Sequence, residues 1–99
     1  MSLCKKAIAV DPTFGNPYND IGSYLVSQGR PDEAIPWLKK ATLAARYEAR
    51  HYPHMNLGRV YSKKNMPFRA VREFRRALDL RPGDSEIRRL LDEALLALN

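Results

Sequence analysis

Apolar positions along this chain recur at helical spacing, and the pattern itself recurs. Tyr18, Ile21, Gly22 and Leu25 fall at i, i+3, i+4 and i+7, one face of a helix. Ala34, Trp37, Leu38 and Ala41 form a second such stripe after a break at Gly29 and Pro31. Shifting the sequence by 36 places superposes Gly22 on Gly58, Pro17 on Pro53, Pro31 on Pro67, Ala34 on Ala70 and Ala41 on Ala77. Ile21 then pairs with Leu57, Ile35 with Val71 and Leu38 with Phe74. A shift of 34 puts Cys4 on Leu38 and Ala7 on Ala41. An ordered set of glycines, prolines and small residues that repeats is an internal duplication, and such periods mark stacked helical units.

Each unit predicts two helices. Asn16 is suited to the N-cap of the first, with Pro17 at its first position. Gly29 and Asn65 stop the first helices where a left-handed residue is wanted, and Pro31 and Pro67 start the return helices. Pro36 lies early in its helix and costs one backbone hydrogen bond. Gly22 and Gly58 sit inside helices at a cost of roughly 0.5–1 kcal/mol each relative to alanine. That cost predicts close backbone approach, with Gly22 facing Ala34 and Ala41. Strand signals are absent. The expected fold is all-α: a right-handed solenoid of antiparallel helix hairpins.

The units divide the single domain into a half-repeat over 1–12, full repeats over 15–48 and 51–84, and a last helix over 85–98. That last helix starts at Asp84 or Ser85 and places Ile87, Leu90, Leu91, Ala94, Leu95 and Leu98 on one stripe. Asp92 occupies its glycine position, so it reads as a capping helix. The chain opens inside a return helix without its hairpin partner, which reads as an excised piece of a longer array.

Composition narrows the function classes. Of 99 residues, 44% are hydrophobic and 28% charged, typical of a folded domain. No apolar run approaches bilayer length and no signal-peptide pattern is visible, so membrane insertion is not expected. One cysteine excludes an internal disulfide, and no Cys/His spacing suits zinc. Cys4 reads as a core residue. It tilts the reading toward the cytoplasm without requiring that compartment. The net charge is +6, and the second half holds ten bases against six acids. Its arginine stripe, Arg69, Arg72, Arg75, Arg76 and Arg81, is interrupted by Glu73 and Asp79 and reads as a solvated helix face. Base-stacking aromatics are not interleaved with it, which argues against nucleic acid.

Catalytic grammar is missing: there is no phosphate loop and no nucleophile elbow. His51 and His54 could approach each other, but no acid or cysteine joins them at ligand spacing, and His54 reads as a packing residue. Asp32-Glu33 and Asp92-Glu93 read as solvated surface, and Trp37 as packing between neighbouring hairpins. Neither an enzyme nor a cofactor is expected.

The ordered set Tyr18-x2-Ile21-Gly22-x2-Leu25, Ala34-x3-Leu38, Ala41 resembles a tetratricopeptide repeat. His54-x2-Leu57-Gly58-x2-Tyr61, Ala70-x3-Phe74-x2-Ala77-x4-Pro82 fits that pattern better, and Cys4-x2-Ala7-x4-Pro12 is similar to the second half of another unit. The departures are Tyr18 and His54 at the usual large aromatic position, Arg46 in place of a closing proline, and two extra residues around Tyr47 to Arg50. The resemblance implies a non-enzymatic scaffold that binds a peptide segment of a partner protein in a concave groove lined by the first helices. Carried over, the groove positions are Asn16, Asn19, Asp20, Ser23, Val26 and Ser27, then Tyr52, Met55, Asn56, Arg59, Ser62 and Lys63. Glu86, Arg89, Leu90 and Glu93 complete them. Asn56 would hold a ligand backbone through its carboxamide, Arg59 and Lys63 would attract a carboxylate, and Tyr52 and Met55 would add apolar contact. The family's clamp for chaperone carboxy-termini is similar only at Asn56. Asn19, Ser23, Glu86 and Leu90 stand where its other polar and cationic residues would be. Two alternatives remain open from the residues: self-association as a homodimer through Leu3, Ile8 and Val10 of the first helix, or service as the scaffold arm of a larger protein.

Overall fold

The computed structural model describes residues 5–8, 15–44 and 49–98, and the chain is all-α among them. Residues 5–8 are helical. Five further helices follow: α1 (Asn16–Ser27), α2 (Pro31–Leu43), α3 (His51–Lys63), α4 (Pro67–Leu80) and α5 (Ser85–Leu96). α1 pairs with α2 and α3 with α4 as hairpins; α3 also packs on α2, and α5 on α4. The stack is elongated, 45 × 28 × 17 Å.

The two hairpin turns are built alike. In the first, the Arg30 N–H donates to the Leu25 carbonyl at 2.9 Å and the Gly29 N–H to Val26 at 3.0 Å. In the second, Met66 donates to Tyr61 at 2.9 Å and Asn65 to Ser62 at 3.1 Å. This crossed pair of bonds needs a left-handed residue, and Gly29 (φ 72°) and Asn65 (φ 56°) supply it. Pro31 and Pro67 then open α2 and α4, where a missing N–H costs nothing. α5 starts on Asp84, whose carboxylate accepts from the Ile87 N–H at 3.0 Å. At α1 the expectation shifts by one residue. Gly15 is the N-cap, and Asn16 is already helical with no side-chain cap bond.

One core runs through both hairpins, with Ile21, Leu38, Leu57, Val60, Phe74 and Ile87 essentially inaccessible to solvent. Ala34, Ala41, Ala70 and Ala77 are fully buried at the crossings, as the duplication requires. The helical glycines face different partners from those expected. A Cβ on Gly22 would fall inside contact distance of Leu38, and one on Gly58 inside that of the Phe74 ring. In both hairpins the long side chain 16 residues on fills the gap that the alanines leave beside the glycine. Trp37 packs half-buried against the core that the two hairpins share. Its ring meets Tyr18 of its own hairpin at 6.4 Å between centroids, and the Lys40 ammonium lies 5.0 Å from the ring centre. The expectations for Cys4, Leu3, Val10 and Arg46 concern positions outside the described residues. Ile8 is described, and it packs half-buried against the core rather than standing exposed.

Burial at the start of α3 has a pH consequence. His51 is 5% exposed. Desolvation, reinforced by the Arg81 charge and opposed by Asp84, holds its pKa below the ordinary 6.5. The unfolded chain therefore takes up this proton first as pH falls. The stabilisation is complete above the unfolded value and is lost as pH drops from about 6.5 toward the folded value. Urea unfolding at about pH 7.5 and about pH 5.5 should show a smaller acid loss for His51→Phe than for the native chain. Equal losses would mean that this imidazole does not contribute.

Candidate protein-interaction surface

α1, α3 and α5 are the successive first helices of the stack, and two polar links tie them side by side. The Asn56 amide of α3 donates to Asn19 Oδ1 at 3.1 Å and to Ser23 Oγ at 3.0 Å, both on α1. On the other flank of α3, the Arg59 guanidinium donates to the Glu86 carboxylate of α5. Within α5, Arg89 donates to Glu93 at 2.9 Å. The three helices thus present one continuous polar surface in which carboxylates offset Arg59 and Arg89. Lys63 is exposed and has no ion-pair partner among the described residues.

This face brings together Asn19, Ser23, Asn56, Arg59, Glu86, Arg89 and Glu93. Asn16 and Asp20 are exposed on α1, and Ser62 on α3. The exposed Ser27 returns its hydroxyl to the Tyr24 carbonyl at 2.7 Å. Tyr52 is 48% exposed and stacks on His51, with centroids 4.1 Å apart. Two expected groove residues turn inward instead. Met55 is 7% exposed and belongs to the core, and Val26 packs against that core half-buried. α3 lies between α2 and α4, so its apolar stripe is wider than a single helix face. Asn56 also differs from expectation, because both of its N–H groups are taken and only its carbonyl is left to meet a ligand.

Between α3 and α5 the face opens into a cleft of about 450 Å³. Arg59 and Ser62 form one wall, Leu90, Glu93, Ala94 and Ala97 the other, and Asn65 and Pro67 of the turn close one end with Phe74 beneath. Four of these were readable from the sequence as groove positions. The turn residues and the two alanines were not, although the left-handed signal at Asn65 already marked a turn beside the groove.

A second polar feature escaped the sequence reading. His54 Nδ1 lies 2.9 Å from Glu73 Oε1, and Arg76 donates to Glu73 Oε2 at 3.2 Å. A carboxylate only accepts, which assigns the hydrogen to Nδ1. Glu73 is 4% exposed, so it does not interrupt the outer arginine stripe; it turns inward to meet His54. No cluster of three metal-ligating side chains exists among the described residues. No described helix is long and apolar enough to cross a membrane.

Stacked helix hairpins with duplicated turns, held together through a polar face of alternate helices, define a helical-repeat solenoid. The chain belongs to the tetratricopeptide repeat family: family models described as tetratricopeptide repeat match residues 3–35 and 53–84. The first match ends within the opening turns of α2, whereas the second spans α3, α4 and the turn beyond. No curated protein matches the chain. Repeats of this family generally mediate protein–protein interactions and are typically non-enzymatic.

Proposed function

We propose that the face of α1, α3 and α5 binds an extended peptide segment of a partner protein, with the α3–α5 cleft as its anchor. The cleft carries this reading, because it combines an apolar wall of Leu90, Ala94 and Ala97 with hydrogen-bonding groups at Ser62 and Asn65. An apolar ligand side chain would be desolvated against that wall. Asn56 would accept a peptide N–H through Oδ1, its orientation already fixed by Asn19 and Ser23. Lys63 adds uncompensated positive charge, and a ligand carboxylate would compete with Glu86 for Arg59. Tyr52 extends the contact surface along α3. A groove of this size suits micromolar affinity, on the order of 8 kcal/mol.

The test is affinity capture from source-cell lysate with the native chain beside two variants, Asn56→Ala/Arg59→Glu and Leu90→Lys. Circular dichroism establishes that each is folded. The expected result is one partner retained by the native chain and lost by both variants. Equal retention by all three would move binding off this face and overturn the proposal.

A further inference from the structure

α5 separates the anchor cleft from a second groove on another of its flanks. This groove, about 520 Å³, lies between the outer side of α4 and the end of α5. Its apolar lining is Phe68, Val71, Leu95 and Leu98, and Arg72 and Arg75 stand along it. Phe68 is 78% exposed. Phe68, Val71, Arg72, Arg75 and Asp79 recur at i, i+3, i+4, i+7 and i+11, so they form one straight stripe along α4.

Two observations say what fits there. The first is the duplication. Setting Asp92 on Gly58 places Leu95 on Tyr61, one unit earlier. Tyr61 is 3% exposed, and the Arg69 guanidinium of α4 lies 5.9 Å from its ring. One step along the stack, then, the equivalent position is covered by a helix. At Leu95 and Leu98 no described helix does so. The second observation is charge. Arg76 is engaged by Glu73, but Arg72 and Arg75 have no acidic partner among the described residues. Asp79 is the acid of the lining and sits at its far end. A second copy of a chain carrying +6 is a poor occupant for a basic groove.

We propose that this groove binds an acidic amphipathic helix of a partner protein. Its apolar stripe would cover Phe68, Val71, Leu95 and Leu98, and flanking carboxylates would meet Arg72 and Arg75 as charge-assisted bonds.

The test is fluorescence anisotropy on the full chain with a labelled synthetic peptide of about 14 residues, the length of α4. The probe carries leucines at i, i+3, i+4 and i+7 and glutamates beside them; its controls are a scrambled peptide and a lysine-for-glutamate analogue. The acidic helix should bind about tenfold or more tightly than either control, and more weakly as salt rises. Arg72→Glu/Arg75→Glu and Phe68→Ser/Leu98→Ser should each cost about tenfold, with Asn56→Ala/Arg59→Glu without effect. All these substitutions except Asn56 and Leu98 are at exposed or polar-edge positions, and circular dichroism checks each fold. Arg72→Gln/Arg75→Gln replaces the reversal if that variant fails to fold.

Equal binding of the scrambled peptide, or dependence on the arginines without dependence on Phe68 and Leu98, would overturn the proposal by reducing it to diffuse charge attraction. Loss through Asn56→Ala/Arg59→Glu alone would assign the peptide to the other face. Dimerisation in light scattering that Phe68→Ser abolishes would give the groove to a second copy.

Discussion

Phe74→Ala should lower unfolding free energy by about 3–5 kcal/mol, the largest effect expected of any single substitution in this chain. The side chain is 1% exposed, lies at the centre of the second hairpin and fills the space beside Gly58. Domains of this size have only about 0.05–0.15 kcal/mol of stability per residue, so the loss is a large share of the total. The melting temperature should fall by roughly 4–8 °C for each kcal/mol lost. The same contact governs Gly58. Alanine there gains roughly 0.5–1 kcal/mol in helix propensity, yet its methyl group collides with a rigid, buried ring. Overpacking costs about 1–3 kcal/mol, so Gly58→Ala should be net destabilising. Gly22→Ala should be destabilising for the same reason, because its methyl would meet Leu38 at Cγ as well as at the branched end, and Leu38 is fully buried. In Phe74→Ala the methyl of Gly58→Ala has room, so the double variant should be more stable than additivity predicts. Urea unfolding of the four species measures the coupling; strict additivity would mean that the ring is not what excludes a side chain from position 58.

The second large effect is expected at Glu73. Glu73→Ala strands the His54 Nδ1–H in a half-buried site and removes the anchor of Arg76. The cost should be about 3 kcal/mol, where the range for an unsatisfied buried group meets that for a broken buried pair. Glu73→Leu/His54→Leu should recover most of it, because a pair replaced together by apolar groups leaves nothing unpaired. If His54→Leu did not rescue the Glu73 variant, the pair would not be the reason that a carboxylate is buried here. Glu73 also holds Arg76, which lines the groove between α4 and α5, so Glu73→Ala frees a third arginine there as well as lowering stability.

The physical reach of sequence patterns explains what was legible. Hairpin boundaries were, because Gly29, Asn65, Pro31 and Pro67 act through local backbone geometry that repeats 36 residues apart. The faces of α1, α3 and α5 were legible too, since helical periodicity assigns each residue an angle around its own axis. Periodicity does not say how the next helix crosses that face. Met55 was therefore placed on the groove although α3 is flanked on both sides, and Leu38 was overlooked as the partner of Gly22. Glu73 sits among arginines in sequence, and its partner His54 is 19 residues away on another helix. No local signal distinguishes it from the solvated acids around it. The role of Asn56 shifted for a related reason: its position in the repeat is local information, whereas the capture of its amide by Asn19 and Ser23 depends on the spacing of two hairpins.

That amide link also governs how the molecule deforms. Within each hairpin the helices interlock through buried alanines and a glycine filled by a neighbour's side chain, and such contacts resist displacement. Between α1 and α3 the connection on the polar face is two hydrogen bonds from one carboxamide, which water can replace with little loss. The hairpins stay joined through α2 against α3 and the shared core, so load on the stack would open the polar face first, at the Asn56 junction, pivoting about that buried seam as a book opens about its spine.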